Sequence, residues 1–165
     1  MSVDPAIFKA VMSRFATGVT VVTTAYQDQR HGLTVSSFSS VSLNPPLVLV
    51  CIENSLYSRE LMEKSGVFAV NILRADQRDL GMRFAGLIPG IEDRFADIDC
   101  KTAVTGSPIL DGCLAWVDCQ IYQNYDGGDH RIFVGEVVAG EAQQGHVDPL
   151  LYYNRAWRFL TDLDS

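Results

Sequence analysis

Five runs of apolar and β-branched residues govern what this chain can fold into. They are residues 19–26 (VTVVTTAY), 47–52 (LVLVCI), 67–73 (VFAVNIL), 113–122 (CLAWVDCQIY) and 132–139 (IFVGEVVA). Each has the length and residue types of a strand. The run at 47–52 is continuously apolar and is expected to be buried on both faces. The run at 113–122 alternates: Ala115, Val117, Cys119 and Ile121 face one way, and Trp116, Asp118, Gln120 and Tyr122 the other. Residues 132–139 repeat that alternation. Between these two runs lies NYDGGDH, residues 124–130, a Gly-Gly turn that predicts a hairpin with a longer loop. The polar run 27–32 predicts another hairpin turn, and a further strand leads from it into a serine-rich segment. Six or seven strands without regular β-α-β alternation argue for an antiparallel barrel over a doubly wound sheet.

Helices occupy the remaining segments. Asp4 before Pro5 is a helix start, with Ile7, Phe8, Val11, Met12 and Phe15 on one face and Gly18 as the stop. Asn54 is placed to cap a second helix running to Lys64, and residues 75–84 predict a third. Residues 85–99 carry Gly86, Pro89 and Gly90 and read as an irregular, mobile flap.

Bulk composition narrows the function classes. A chain of 165 residues with 47% hydrophobic and 20% charged residues is expected to form one domain, residues 1–165, with its own core. No apolar run approaches the roughly 20 residues of a membrane span, and MSVDPAIFK lacks the pattern of a secretory leader. Cys51, Cys100, Cys113 and Cys119 lack CxxC spacing, so they read as reduced, mostly buried thiols of a cytoplasmic protein. A formal charge of −7 with no Lys/Arg block argues against nucleic acid and anionic membranes as partners. An anionic ligand must therefore be captured by local geometry.

The segment 32–46, GLTVSSFSSVSLNPP, offers such geometry. Five serines and one threonine lie within fifteen residues where a strand passes into a loop. Hydroxyls and amides at that density suit a phosphate, although the same composition also describes a plain surface loop. GxGxxG after the first strand, GxSxG, GxxxxGK[ST] and HExxH are all absent, and His31, His130 and His146 fall in three separate turns without ligand spacing. No metal site is expected. His130 ends the GGDH turn, where Gly127 and Gly128 permit close backbone approach and Asp129 can orient the imidazole; an exposed hairpin tip fits equally. Arg83 fits either a bidentate phosphate contact or a helix C-terminus. Asn71 in an apolar strand needs a partner if buried. Tyr152, Tyr153 and Trp157 form an aromatic cluster that suits core or subunit packing.

Taken in order, ATGVTVVTT (16–24), GLTVSSFSSVSLNPPLVLVCI (32–52), FAVNIL (68–73), RFAG (83–86) and GDHRIFVGEV (128–137) resemble the flavin reductases of the split-barrel type. The resemblance runs from about Phe8 to Leu160. This chain has Val35-Ser36 where that family often has Ala-Asn, and Asn44 where it often has Asp. The resemblance implies a mainly β, FMN-binding split β-barrel, antiparallel and Greek-key-like, with short inserted helices. It implies an NAD(P)H:flavin oxidoreductase that reduces FMN or FAD with NADH or NADPH, works as a homodimer, and supplies a separate monooxygenase component. By position it assigns Thr34, Val35, Ser36, Ser37, Phe38 and Ser39 to the flavin ring and ribityl chain. Cys51, Glu53, Ser55 and Ser58 match the strand end and helix start near the ring and phosphate. Arg83, Phe84 and Ala85 match the segment over the phosphate, Tyr152 the pocket rim, and His130 a catalytic histidine beside flavin and nicotinamide. A flavin-bound reductase of a corrinoid or ferric chelate, a non-enzymatic flavin- or haem-binding barrel, and a pyridoxamine-phosphate-oxidase-like enzyme are the rival readings on the same fold.

Overall fold

Antiparallel pairing of short β-branched runs produces one large curled sheet flanked by a three-stranded and a two-stranded sheet. The computed structural model describes residues 2–161, so Met1 and residues 162–165 of the single-domain expectation lie outside it. In chain order the elements are α1 (Pro5–Met12), β1 (Thr17–Gly18), β2 (Thr20–Tyr26), β3 (Gln29–Val35), β4 (Phe38–Leu43), β5 (Pro46–Glu53), α2 (Tyr57–Ser65) and β6 (Val67–Ile72). A single 3₁₀ turn (Ala75–Gln77) leads into α3 (Arg78–Phe84). Then follow β7 (Cys100–Lys101), β8 (Ile109–Leu110), β9 (Ala115–Gly127), β10 (His130–Ala142), β11 (Leu151–Tyr153) and β12 (Ala156–Arg158). Seven strands join in the order β3-β2-β6-β9-β10-β5-β4, every pair antiparallel. The ladder does not close, yet Leu33 and Val35 near one edge share a cluster with Val48 and Val50 near the other. The sheet therefore curls over its inner face, giving the mainly β, split-barrel-like fold that the family resemblance implied, without the closure of a full barrel.

Two apolar clusters hold the fold. Val22, Phe68, Val70, Phe133 and Met62 of α2 fill the inside of the curl. Val19, Val21, Leu73, Phe84, Phe95 and Leu150 pack a second layer on the outside, beneath α3. Each large side chain so buried contributes about 1.5–3 kcal/mol from water exclusion. Several buried polar groups tie loops to the sheet. Asn71 donates to Val21 O and accepts from Leu110 N, tying β8 to the sheet. Asp118 accepts from the backbone N–H groups of Val104 and Thr105, both at 2.8 Å, and so closes that loop.

Several local expectations are corrected. Both hairpin turns are tighter than their polar runs suggested: Tyr26 pairs with Gln29, and Gly127 with His130. In the second turn Gly128 takes φ +82, which glycine adopts without steric penalty. His31 lies in β3, not in a turn. Asn54 does not cap α2; its side chain donates to Gly128 O at 2.9 Å and its amide to Asp129 O, pinning the hairpin tip. Residues 85–99 are irregular but fastened: Phe95 is buried against Phe84, and Arg94 donates to Gly32 O and Phe84 O. β5 is buried on one face only. Val48, Val50 and Ile52 enter the core, while Leu49 and Cys51 face outward. Finally, no residue of α1 is buried. No helix among the described residues is long and apolar enough to cross a membrane.

Candidate functional site

Two clefts meet on the outer face of the sheet. The larger, of about 810 Å³, runs between α1, the bend at residues 36–39, Leu49 and Cys51 of β5, and the β11–β12 turn. The smaller, of about 300 Å³, is walled by Val19, Thr34, Ala85, Leu87 and Trp157. Ser36, Tyr152 and Arg155 belong to both. Both volumes fall within or close to the usual range for small-molecule sites.

Local chemistry builds these walls. The β4–β5 ladder ends at Phe38 and Val50. Ser37 then supplies one more rung from its side chain: its Oγ donates to Cys51 O at 3.0 Å and accepts from Cys51 N at 3.2 Å. Ser39 stands opposite Leu49 on the cleft face, whereas Phe38 packs its ring toward the core. Thr34 Oγ1 donates to Gly81 O at 2.6 Å and docks α3 on β3. A side chain at Gly81 would sit 3.3 Å from Trp157, so glycine admits the indole. Trp157 stands edge-on to Tyr152 at 5.4 Å between ring centroids. Burial raises the Cys51 thiol above its usual range, the Ser37 hydrogen bond opposing this only in part. The thiol is thus a neutral wall rather than a nucleophile.

Eight of the expected residues line the clefts: Thr34, Ser36, Ser37, Phe38, Ser39, Cys51, Ala85 and Tyr152. Val35, Glu53, Ser55, Ser58, Arg83, Phe84 and His130 line neither. Val35 and Phe84 are core residues. Ser58 is buried, and its Oγ has no partner among the described residues. Ser55 Oγ donates to Glu53. Arg83 donates to the carbonyls of Asp93 and Ala96, so here it fastens the 85–99 segment.

Strand register relates His130 to the clefts. Val134, Ile132 and His130 stand directly opposite Leu49, Cys51 and Glu53. Residues directly opposite share a face, so His130 lies on the cleft face, two residues, or about 7 Å, beyond the Cys51 row. Its Nδ1 meets Asp129 Oδ1 at 2.6 Å. The hydrogen bond from His130 holds the Asp129 carboxyl below the ordinary range. An ionised carboxylate only accepts, so Nδ1 carries the proton and Nε2 is left for other use.

The sequence reading missed Phe8, Met12, Leu49, Trp157, Asn154 and Arg155 as cleft residues. Asn154, between Tyr152-Tyr153 and Ala156-Trp157, was the one turn signal there, since asparagine tolerates a positive φ. Among the described residues no carboxylate lines either cleft, although the chain carries 20 acidic residues; the cations there are Lys9 and Arg155.

Comparison with known proteins gives the family. A family model described as "Flavin reductase like domain" matches residues 12–161. The chain is 41% identical over 152 residues to the flavin-dependent monooxygenase reductase subunit HsaB of Mycobacterium tuberculosis, covering 92% of this chain and 80% of that protein. It is 37% identical over 165 residues to an NADH-dependent FAD reductase of Streptomyces globisporus, covering 98% and 90% respectively. Among solved structures, the flavin reductase PheA2 superposes with a TM-score of 0.89 at 38% identity, covering 97% of this chain and all of that one (100%). By sequence and by fold, this chain belongs to the flavin reductase like domain family.

Proposed function

We propose that this protein is the reductase component of a two-component flavin-dependent monooxygenase, reducing FMN or FAD with NADH or NADPH and releasing the product to a separate oxygenase. The observation that carries the reading is the paired cleft: lined by no carboxylate among the described residues of a protein of charge −7, with serine hydroxyls on one side and aromatic rings on the other. That donor set fits a flavin nucleotide. Tyr152 and Trp157 offer flat apolar surface, Ser36 and Ser39 offer hydroxyls, and Arg155 and Lys9 offer positive charge. Bound flavin supplies the two-electron acceptor for a hydride from the nicotinamide.

The chain's own groups supply orientation and electrostatics. Ser37 fixes the 36–39 bend, so the neighbouring hydroxyls are held in place before ligand arrives. Tyr152 and Trp157 brace each other edge to face and exclude water from one wall. Asp129 holds the His130 ring, with Nε2 as the atom available to accept or return a proton next to the cleft face. Such preorganised polar groups act where charge develops.

A homodimer completes the proposal. Ile7, Phe8, Val11 and Phe15 are 57%, 56%, 62% and 69% exposed, and Leu43 at the β4–β5 tip is 91% exposed. Apolar surface of that extent, on α1, the residues after it and the β4–β5 tip, marks an interface. The decisive experiment measures NADH and NADPH consumption with FMN, FAD and riboflavin in turn, alongside sedimentation velocity. Nicotinamide oxidation that depends on added flavin, by a dimer, is expected. Turnover with a ferric chelate or corrinoid but not with free flavin would move the protein to a different acceptor. No oxidation with any flavin would end the reductase reading.

A further inference from the structure

The β11–β12 hairpin carries a residue that its backbone disfavours. Tyr153 pairs with Ala156, which leaves Asn154 and Arg155 as a two-residue turn. Their φ angles are +50 and +59. Two consecutive left-handed residues define a type I′ turn, and asparagine followed by glycine is its favoured sequence. Asparagine occupies the first position. The second holds arginine, whose Cβ makes that conformation unfavourable. The turn is fixed in place, because Asn154 N donates to Ser13 O at 2.8 Å at the end of α1.

Arg30, Arg59, Arg74 and Arg131 are each paired with a carboxylate, and Arg83 and Arg94 donate to backbone carbonyls. Arg14, Arg78, Arg155 and Arg158 have no ion pair or side-chain hydrogen bond among the described residues, and of these four Arg155 alone lines the clefts. It lines both where they join. Lys9 lines the larger cleft alone. A cation held against backbone preference, at the junction of two clefts that no carboxylate lines among the described residues, has an anion as its natural partner. The planar guanidinium fork matches phosphate oxygens in particular. A ligand spanning both clefts passes Arg155, and between the two ends of a dinucleotide lies its pyrophosphate.

We propose that Arg155 is a binding and specificity residue for the phosphate of a nucleotide laid across the two clefts. It lets the protein prefer phosphorylated flavins, or a nicotinamide dinucleotide, over unphosphorylated analogues. The inference rests on the flavin reductase reading for the identity of the nucleotide. Two variants separate charge from turn strain. Arg155→Gln removes the charge and keeps the backbone demand, whereas Arg155→Gly removes the charge and relieves it. Equilibrium titrations with FMN, FAD, riboflavin and NAD⁺ at low and high NaCl provide the readout.

A charge-assisted phosphate contact corresponds to about a tenfold change in affinity or more. Both variants should therefore narrow the preference of FMN and FAD over riboflavin about tenfold and flatten its salt dependence. That result assigns Arg155 to the flavin phosphate. Weakened NAD⁺ binding with an unaltered flavin preference assigns it instead to the nicotinamide dinucleotide. If neither quantity moves in either variant while the wild-type protein oxidises NADH with flavin, the Arg155 proposal alone is overturned. A wild-type protein that binds neither flavins nor NAD⁺ overturns both it and the reductase reading.

Discussion

Ser37→Ala removes the side-chain rung that extends the β4–β5 ladder. The hydroxyl donates to Cys51 O at 3.0 Å and accepts from Cys51 N at 3.2 Å, so both backbone groups of one cleft residue lose their partner at once. A net intramolecular hydrogen bond is worth about 0.5–1.5 kcal/mol. Ser37 is solvent exposed, so water replaces part of each bond. The expected loss is about 1–2 kcal/mol of unfolding free energy. Urea denaturation reads it as a lower midpoint at constant slope. Amide exchange reads the same event locally, with faster exchange at Cys51 N–H and little change at Phe133 in the core. A direct ligand role for Ser37 predicts the reverse: weaker flavin binding without loss of stability. Wild-type stability together with wild-type protection at Cys51 would refute the rung argument.

Two further predictions test the supports around the clefts. A Cβ at Gly32 would lie 2.6 Å from the Phe84 ring and 3.1 Å from Phe95, both buried. Gly32→Ala should destabilise by about 1–3 kcal/mol, the usual range for overpacking; because Ala85 follows Phe84, flavin binding measured by fluorescence titration should weaken too. Burial pushes the Cys113 thiol up to about 11 and the Cys119 thiol up to about 12, from 9.0. The unfolded chain then loses these protons first, so stability is fully present below pH 9 and falls as pH rises toward 11–12. The loss is about 1 kcal/mol per thiol by pH 10, measured as the urea midpoint under reducing conditions. Cys119→Ala should leave a smaller drop between pH 8 and 10, and an identical drop would discount the thiol.

How much was legible follows from what each element obeys. The strands announced themselves through β-branched composition, and 113–122 did so through clean alternation, because a half-buried strand imposes period two on its residues. The run 47–52 misled because both faces of β5 are apolar for different reasons: Val48, Val50 and Ile52 fill the core, while Leu49 and Cys51 wall a cleft. Periodicity cannot distinguish a core wall from a binding wall. Asn54 failed as a cap because a tertiary partner, the Gly128 carbonyl, competed for its side chain. The serine segment was readable as a polar wall, and part of it lines the clefts, but the division of labour within it was not. Ser37 serves the backbone of a strand brought to it by folding, and Val35 serves the core. Arg155 was invisible for the same reason, since its meaning depends on two clefts that residues far apart in sequence create together.

α1 explains why the site and the proposed dimer belong to one problem. Its apolar stripe was legible in sequence, and a stripe of that kind normally packs on the core of its own domain. Here none of its residues is buried, while Phe8 and Met12 line the larger cleft. The same helix is therefore both cleft wall and bare surface. A second copy seated on α1 would remove that apolar area from water and would also narrow the cleft opening. The remaining grip on ligand would then be neutral hydroxyls, aromatic faces and the two cations Lys9 and Arg155. Nothing in that set needs to be broken at high cost when ligand leaves. A reductase that hands its product to another enzyme requires that balance: enclosure sufficient to align two cofactors, and binding weak enough to release one.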